Sequence, residues 1–467
     1  METSNHSLLR RGLPAALAIL LASACILKKP PDAAAIKGEA LPTVDVPAGW
    51  TARGAGQGDV ADNWLASFHD EALTAAVKEA LAHNTDLRVA ATRVEQAMLY
   101  AKLAGARLYP SVDLLARGGG KMSGDNSGLT GGALTLTWEL DLWGRVRYGR
   151  AAATADAASA EADFVFARQS LAAAVARAWF LATEAGLQAE SARATIRDGE
   201  SLVKLAEDRS RVGVGNDEDV YVARANVGAS RDNLRQIELA REQAIRALEL
   251  LLGRYPSAAA IVNPQLPGQP DSIPAGLPSQ LLERRPDVIA AERRVAAAFN
   301  RVHEAKAARL PAIALTTGVS SVSSDLFVLK DRDNPVWNLG ANLLAPIYRG
   351  GALRTQVEIR TAEQKQAVAS YAAVGLRAFG EVESALSAEI AAREREQLLA
   401  ATLSDNRRAF DIVQTQFKVG STDLRFVTQR QLALTATQSA IIRMQAEQRV
   451  QRVNLHLALG GSFETRQ

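Results

Sequence analysis

Ala133-Leu134-Thr135-Leu136-Thr137-Trp138-Glu139-Leu140-Asp141-Leu142 is the stretch whose reading decides the fold. Leu134, Leu136, Trp138, Leu140 and Leu142 fall on one face. Ala133, Thr135, Thr137, Glu139 and Asp141 fall on the other, because successive strand side chains point to opposite sides. About ten residues is the length a tilted strand needs to cross a bilayer's hydrocarbon core. A surface strand of a soluble sheet alternates in the same way, so the neighbourhood has to decide. Directly after Trp143-Gly144-Arg145-Val146-Arg147 the period changes from two to a heptad. The spacing predicts one helix from Val146 to about Ser210, with Leu171, Val175, Ala178, Ala182, Ala185, Ala189, Ala192 and Ile196 at steps of four and three. At ~1.5 Å per residue it spans roughly 95 Å. A short strand joined to such a helix is not ordinary globular architecture.

Working outward, Gly213 and Gly215 break the helix, and a second one runs from about Val220 to Leu252. On the other side, Trp64, Phe68, Leu73 and Val77 open a helical pattern that continues to about Arg107, where Tyr109-Pro110 stops it. Ser111 to Arg117 alternates again, with Val112, Leu114 and Ala116 on one side. The Gly/Ser-rich stretch Gly118 to Gly132 joins the two alternating segments into a β-hairpin. Residues 254–278 are rich in Pro and Gly and form a linker.

The pattern then repeats. Ser279 to Arg309 is helical and holds Asp287, Arg294 and Val295 as the first half holds Asp86, Arg93 and Val94. Ala312 to Ser321 is a strand, Ser323 to Pro335 a loop, and a fourth strand follows with Trp337, Leu339, Ala341 and Leu343 on one face. A long helix runs to about Phe417, with Val368, Ala372, Gly375, Phe379, Val382 and Leu386 at heptad steps, and a last helix ends near Leu459. Asp86 and Asp287 stand 201 residues apart, whereas Gly213 and Gly420 stand 207 apart, so the slip falls in the strand loop, where insertions are tolerated. The expected organisation is a signal peptide at 1–24, a tether at 25–62, a first repeat at 63–253, a linker at 254–278, a second repeat at 279–461 and a disordered tail at 462–467.

The N-terminus is that of an exported chain. Arg10 and Arg11 precede a short apolar run, Leu13 to Leu21, too short to span a membrane. The single cysteine, Cys25, follows Ala22-Ser23-Ala24, which resembles a bacterial lipobox although Ala22 stands where leucine is favoured. That implies a covalent diacylglycerol and N-acyl chain at Cys25. Ala22-Ser23-Ala24 also satisfies ordinary signal cleavage, which would leave a free thiol. With 54 basic against 51 acidic residues, interspersed, no nucleic-acid stripe is formed. Five scattered histidines give no metal-ligand spacing, and no nucleophile–base constellation stands out, so neither metal, cofactor nor enzymatic activity is expected.

Four membrane-length strands cannot close a barrel, and an open edge in lipid leaves unpaired backbone groups. Either the strands lie outside a membrane, as in a soluble periplasmic coiled-coil adaptor with a small β domain, or several chains share one barrel. The whole combination resembles the outer-membrane efflux protein family, the TolC-like factors, and specifically its NodT-type lipoproteins. The resemblance runs from Asp62-Asn63-Trp64-Leu65-Ala66-Ser67-Phe68 to Leu459-Gly460. Its most specific pieces are Leu282-Glu283-Arg284-Arg285-Pro286-Asp287-Val288, Trp138-Glu139-Leu140-Asp141-Leu142-Trp143-Gly144 and the duplicated hairpin-plus-long-helix unit. It implies a transmembrane β-barrel continued by a long α-helical coiled-coil barrel, with four strands per chain and the barrel shared by a homotrimer. It further implies a lipid-anchored exit duct of the outer membrane, passive in transport, docked on a periplasmic adaptor and an inner-membrane pump of the RND type. Leu134, Leu136, Trp138, Leu140, Leu142, Trp337 and Leu339 would then face lipid. The tunnel would be held shut at the two helix turns, where Asp217, Glu218 and Asp219 lie on one and Lys418, Asp423, Arg425, Gln429 and Arg430 on the other. Those acidic and basic turns either pair to hold the tip closed or carry solvated charge and cap their helices.

Overall fold

A computed structural model describes residues 27–52, 58, 60, 62–117, 130–268, 274–323 and 336–464. Cys25 and the leader lie outside the described residues, as do 118–129 and 324–335 of the two strand loops. A short helix α1 (Ala33–Ala40) and a 3-10 turn (Trp64–Phe68) lead into α2 (Glu71–His83) and α3 (Thr85–Ala106). The hairpin β1 (Ser111–Arg117) and β2 (Thr130–Leu140) follows, then α4 (Arg145–Arg211) and α5 (Asp217–Leu251). The second half has α6 (Pro278–Arg284), α7 (Pro286–Ala307), β3 (Ala312–Ser323), β4 (Val336–Leu344), α8 (Ala352–Lys418) and α9 (Leu424–Ala458). The long helices α4 and α8 are each 67 residues, their successors α5 and α9 each 35, and α3 and α7 each 22. Each 67-residue helix ends just before a glycine in the left-handed region, Gly213 at φ 77° and Gly420 at φ 81°. A side chain there would be strained, so glycine is what lets the chain reverse.

Chain contacts divide the molecule into two compact units, each drawn from both halves of the sequence. One comprises residues up to 44, 92–162 and 289–374; the other comprises 45–91, 163–288 and 375–467. The first holds the sheet, an antiparallel meander in the order β1-β2-β3-β4. Leu134 lies opposite Leu114 and Val319, Trp138 opposite Leu315, and Val319 opposite Trp337, so these apolar residues of all four strands share one face. Thr135, Thr316, Asn338 and Asn342 belong to the other.

The second unit is built around Trp64, Phe68, Leu73, Phe180, Leu248, Val453 and Phe463, all buried. Trp179 Nε1 donates to the Asp70 carboxylate at 3.1 Å, and Asp70 also caps α2 by accepting from the Leu73 N–H. Arg285, 2% exposed, forks onto Asp287 at 2.8 and 3.0 Å, reaches Glu381 at 2.7 Å and donates to the Ala458 carbonyl at 3.2 Å. The Glu249 carboxylate is buried and accepts backbone N–H groups from Ala258, Ala259 and Ala260, which fixes the start of the linker. Those three bonds outweigh burial, which alone would raise it, and hold Glu249 below the usual carboxylate range.

Four expectations are corrected. The strand ends at Leu140, so Leu142 lies in a turn instead of on the apolar face of the strand: Asp141 leaves the ladder to accept the Val146 and Arg147 N–H groups at 2.9 Å each and caps α4. The pattern that opens at Trp64 is not one helix. His69 (φ 51°) interrupts it, and Asn84 breaks it again by capping α3 through Leu87 N–H. The tether is not extended throughout: Asp32 caps the helix α1 within it, Trp50 Nε1 donates to Ala275, and the Thr51 and Ala52 N–H groups donate to Glu383 at 2.8 Å. In the tail, Ser462 to Glu464 are ordered, with Phe463 buried and Glu464 paired with Arg168 at 2.7 Å, while 465–467 lie outside the described residues.

Candidate channel wall and helical tip

The apolar face of the sheet has nothing packed over it at several of its largest residues. Trp337 is 76% and Leu339 85% exposed, and Leu134 and Trp138 are exposed as well; Leu136 and Leu140 are half-buried. An exposed apolar face this wide, on strands of 7 to 12 residues, calls for a covering surface, another protein or lipid. At the end where the strands meet the helices the indoles are tied down. Trp138 Nε1 donates to the Leu108 carbonyl at 3.0 Å and Trp143 Nε1 to the Pro311 carbonyl at 2.7 Å. Tyr109 and Tyr348 are exposed in the same connections. Aromatic side chains with one polar atom satisfied mark a membrane–water boundary. The charges that begin α4 are paired: Arg145 with Glu139 at 2.6 Å and Arg147 with Asp141 at 3.1 Å.

The first described residues lie at this level too. Leu27 packs against Gly144, where an added Cβ would come within 3.0 Å of it, and the Lys28 N–H donates to the buried Tyr148 hydroxyl at 2.9 Å. Tyr148 in turn lies 5.1 Å from the His303 ring.

The tip is assembled around Leu202, Ala223, Phe410, Phe417, Leu424, Val427 and Leu434. Asn216, not one of the acids beside it, caps α5 by accepting the Asp219 N–H at 2.8 Å. Asp217 accepts from the Ser210 hydroxyl at 2.8 Å, and with Glu218 and Asp219 it occupies the first turn of α5, where negative charge suits the helix dipole. Burial, then the neighbouring Asp423 and Glu218, pushes the Asp219 carboxyl above its ordinary range against an opposing effect of Arg209. Asp423 caps α9 and lies 3.6 Å from Arg425 of the same turn, whose guanidinium rests over the Phe426 ring. Lys418, Gln429 and Arg430 are exposed. Among the described residues no ion pair joins the acidic turn to Lys418, Arg425 or Arg430. What joins the two turns is Arg209, which sequence reasoning missed. It donates to the Phe417 carbonyl at 2.7 Å and stacks on the Phe417 ring at 4.8 Å. Its one visible signal was a basic residue in the last turn of a helix. No group of three or more potential metal-ligating side chains occurs among the described residues, and no described helix is long and apolar enough to cross a membrane.

The sequence matches the outer membrane efflux protein family over residues 76–254 and 277–461. The chain belongs to this family. It is 30% identical to the cation efflux system protein CusC of Escherichia coli O6:H1, covering 91% of this chain and 94% of that one. It is 28% identical to the pyoverdine export outer membrane protein OpmQ of Pseudomonas aeruginosa, covering 90% and 92%. Among solved structures it is similar to the outer-membrane channel OprN, with a TM-score of 0.81 at 25% identity over 90% of this chain and 97% of that one. It is similar also to CusC, with a TM-score of 0.80 at 26% identity over 90% and 98%. This member of the outer membrane efflux family is thus an outer-membrane transport protein, and its uncovered sheet and long helices are the parts of a channel.

Proposed function

We propose that three copies of this chain close one twelve-stranded barrel in the outer membrane, continued by a periplasmic tunnel of their long helices. The duct passes substrates handed over by a periplasmic adaptor and an inner-membrane pump, the tripartite arrangement of which efflux relatives are components. The observation that carries this reading is the four-stranded sheet with one apolar face uncovered and β1 and β4 as its two edges. Unpaired edges in hydrocarbon cost several kcal/mol per backbone group, and pairing β4 of one copy with β1 of the next removes them. A soluble adaptor would have no use for that face.

Lipid anchoring at Cys25 fits the seat of the residues after it. Leu27 and Lys28 are held at Gly144 and Tyr148, at the level of the strand ends, and an acyl anchor two residues earlier in the sequence agrees with that seat. Closure at the tip is assigned to the Arg209 tie within each chain, and to Asp217, Glu218 and Asp219 meeting Lys418, Arg425 and Arg430 of neighbouring copies, with Gln429 facing the pore. The deciding experiment is the oligomeric mass of detergent-extracted protein from outer-membrane fractions, with and without Cys25→Ser. A trimer in both supports the shared barrel and makes the acyl chains an auxiliary anchor; a soluble periplasmic monomer would sink the duct. In planar bilayers, charge reversal of Asp217, Asp219 and Arg425 should raise conductance, and unchanged conductance would remove those residues from the gate.

A further inference from the structure

The two halves of the chain correspond helix by helix. Raising the bounds of α3 (Thr85–Ala106) by 201 gives those of α7 (Pro286–Ala307), and raising those of α4 (Arg145–Arg211) by 207 gives those of α8 (Ala352–Lys418). Where the first half meets the second inside the chain, α4 packs on α7. Arg301 pairs with Asp156, the Ser159 hydroxyl donates to the Ala290 carbonyl at 3.0 Å, and Glu304 lies over Gly149, where an added Cβ would come within 2.9 Å of its carboxylate. Burial pushes the Asp156 carboxyl up, while Arg301 and then Arg294 pull it down. Gly149, Ala152 and Asp156 share one face of α4 at steps of three and four, and Ala152 is 3% exposed.

The equivalent surfaces on α3 and α8 are bare. Arg93, Gln96, Tyr100 and Leu103 share one face of α3, and all four are exposed, Leu103 by 61%. Arg93 makes no ion pair among the described residues. On α8 the residues answering Gly149, Ala152 and Asp156 are Gln356, Ile359 and Glu363. Ile359 is 47% exposed, and Glu363 turns to Arg360 of its own helix at 2.7 Å. Strand order decides what they meet. β2 leads into α4 and β3 follows α7, so the β2–β3 pairing sets those two helices side by side. In the same way β4 leads into α8 and β1 follows α3, so pairing β4 of one copy with β1 of the next sets α8 beside the next copy's α3.

We propose that α8 of one copy seats on α3 of the next as α4 seats on α7 within the chain, bringing Glu363 to Arg93 and Tyr100, and Gln356 to Leu103. The charges agree, with the acid on the long helix and the base on the short one, as for Asp156 and Arg294. This contact rests on the shared barrel and names what joins its helical wall between copies. It is tested in the full-length protein of isolated outer membranes by adding Leu103→Cys and Gln356→Cys and treating with a short bismaleimide; the parent chain, with Cys25 alone, sets the background. Denaturing gels should show covalent dimers and trimers. Leu103→Cys with Arg354→Cys, whose second thiol lies on the far side of α8, should stay monomeric. Arg93→Glu and Glu363→Arg should each raise the monomer fraction of the extracted protein about fivefold at the midpoint of thermal dissociation, and the two together should restore it. Trimers that do not cross-link, equal linking through Arg354→Cys, or a double exchange no better than either single one would overturn the contact and leave the shared barrel standing. A monomeric wild type would defeat the shared barrel itself, a result read from its mass without any cross-link.

Discussion

At the scale of single residues, one buried cation and one buried base carry testable consequences. Arg285 connects α7, α8 and the end of α9 through one guanidinium, and only a planar fork can hold Asp287 twice while reaching Glu381 and Ala458. Arg285→Ala should lower stability by about 3 kcal/mol, because two carboxylates lose their counter-ion, and Arg285→Lys should recover less than half; thermal melting of the detergent-extracted protein reads both. The sequence shows this arginine inside Leu282 to Val288 beside Asp287, yet nothing local reveals that it joins three helices, since Glu381 and Ala458 lie 96 and 173 residues away. His456 is the second case. It is buried, stacks on Trp64 at 5.5 Å, and burial with the nearby Arg452 pushes its pKa down to about 3. The unfolded chain takes a proton near pH 6.5 while the folded one refuses it until about 3, so stability falls as pH drops through that window, by about 1.4 kcal/mol per unit. His456→Phe keeps the stacking and removes the titration. Melting temperatures between pH 6.5 and 4 should then fall less steeply than in wild type, and an equal slope would clear this histidine of the effect.

At the scale of elements, most of the architecture was legible. Alternation and heptads belong to backbone geometry, so four strands, two long helices and their glycine breaks can be read without any tertiary contact. Legibility failed where one residue serves two elements. Asp141 satisfies the alternation of β2 as well as any neighbour, but its carboxylate is worth more as the cap of α4, and the strand stops short. Asp141→Ala should cost about 1–2 kcal/mol, and Asp141→Asn, which keeps an acceptor for the first turn, should restore most of it in the same melting assay. If Asn proves as damaging as Ala, the pairing with Arg147 matters more than the cap. The tether and tail were misread for another reason. Their order comes from long-range partners such as Glu383 and Arg168, which composition cannot show.

At the scale of the whole molecule, the proposed shared barrel turns on the open edges of β1 and β4, and that argument could be made from strand count alone. The detergent-extracted protein should run at three times the mass of a single processed chain, and boiling should collapse it to one. The Arg209 tie was invisible, because its acceptor is a carbonyl 208 residues away that any sequence would supply. Arg209→Ala removes a charged hydrogen bond worth about 1.5–3 kcal/mol, so single-channel recordings should show the tip open ten- to a hundredfold more often. An unchanged open fraction would mean that contacts between copies hold the tip alone. The core of the second unit has a further consequence. Trp64 and Leu73, in the first helical segments of the chain, share one cluster with Val453 and Phe463 some 390 residues further on. That cluster cannot close until translocation has delivered the last helix, so the emerging polypeptide must wait, greasy and unfinished, in the compartment it enters. Chaperone dependence and proteolytic loss of C-terminally shortened chains are thus written into where its two ends meet.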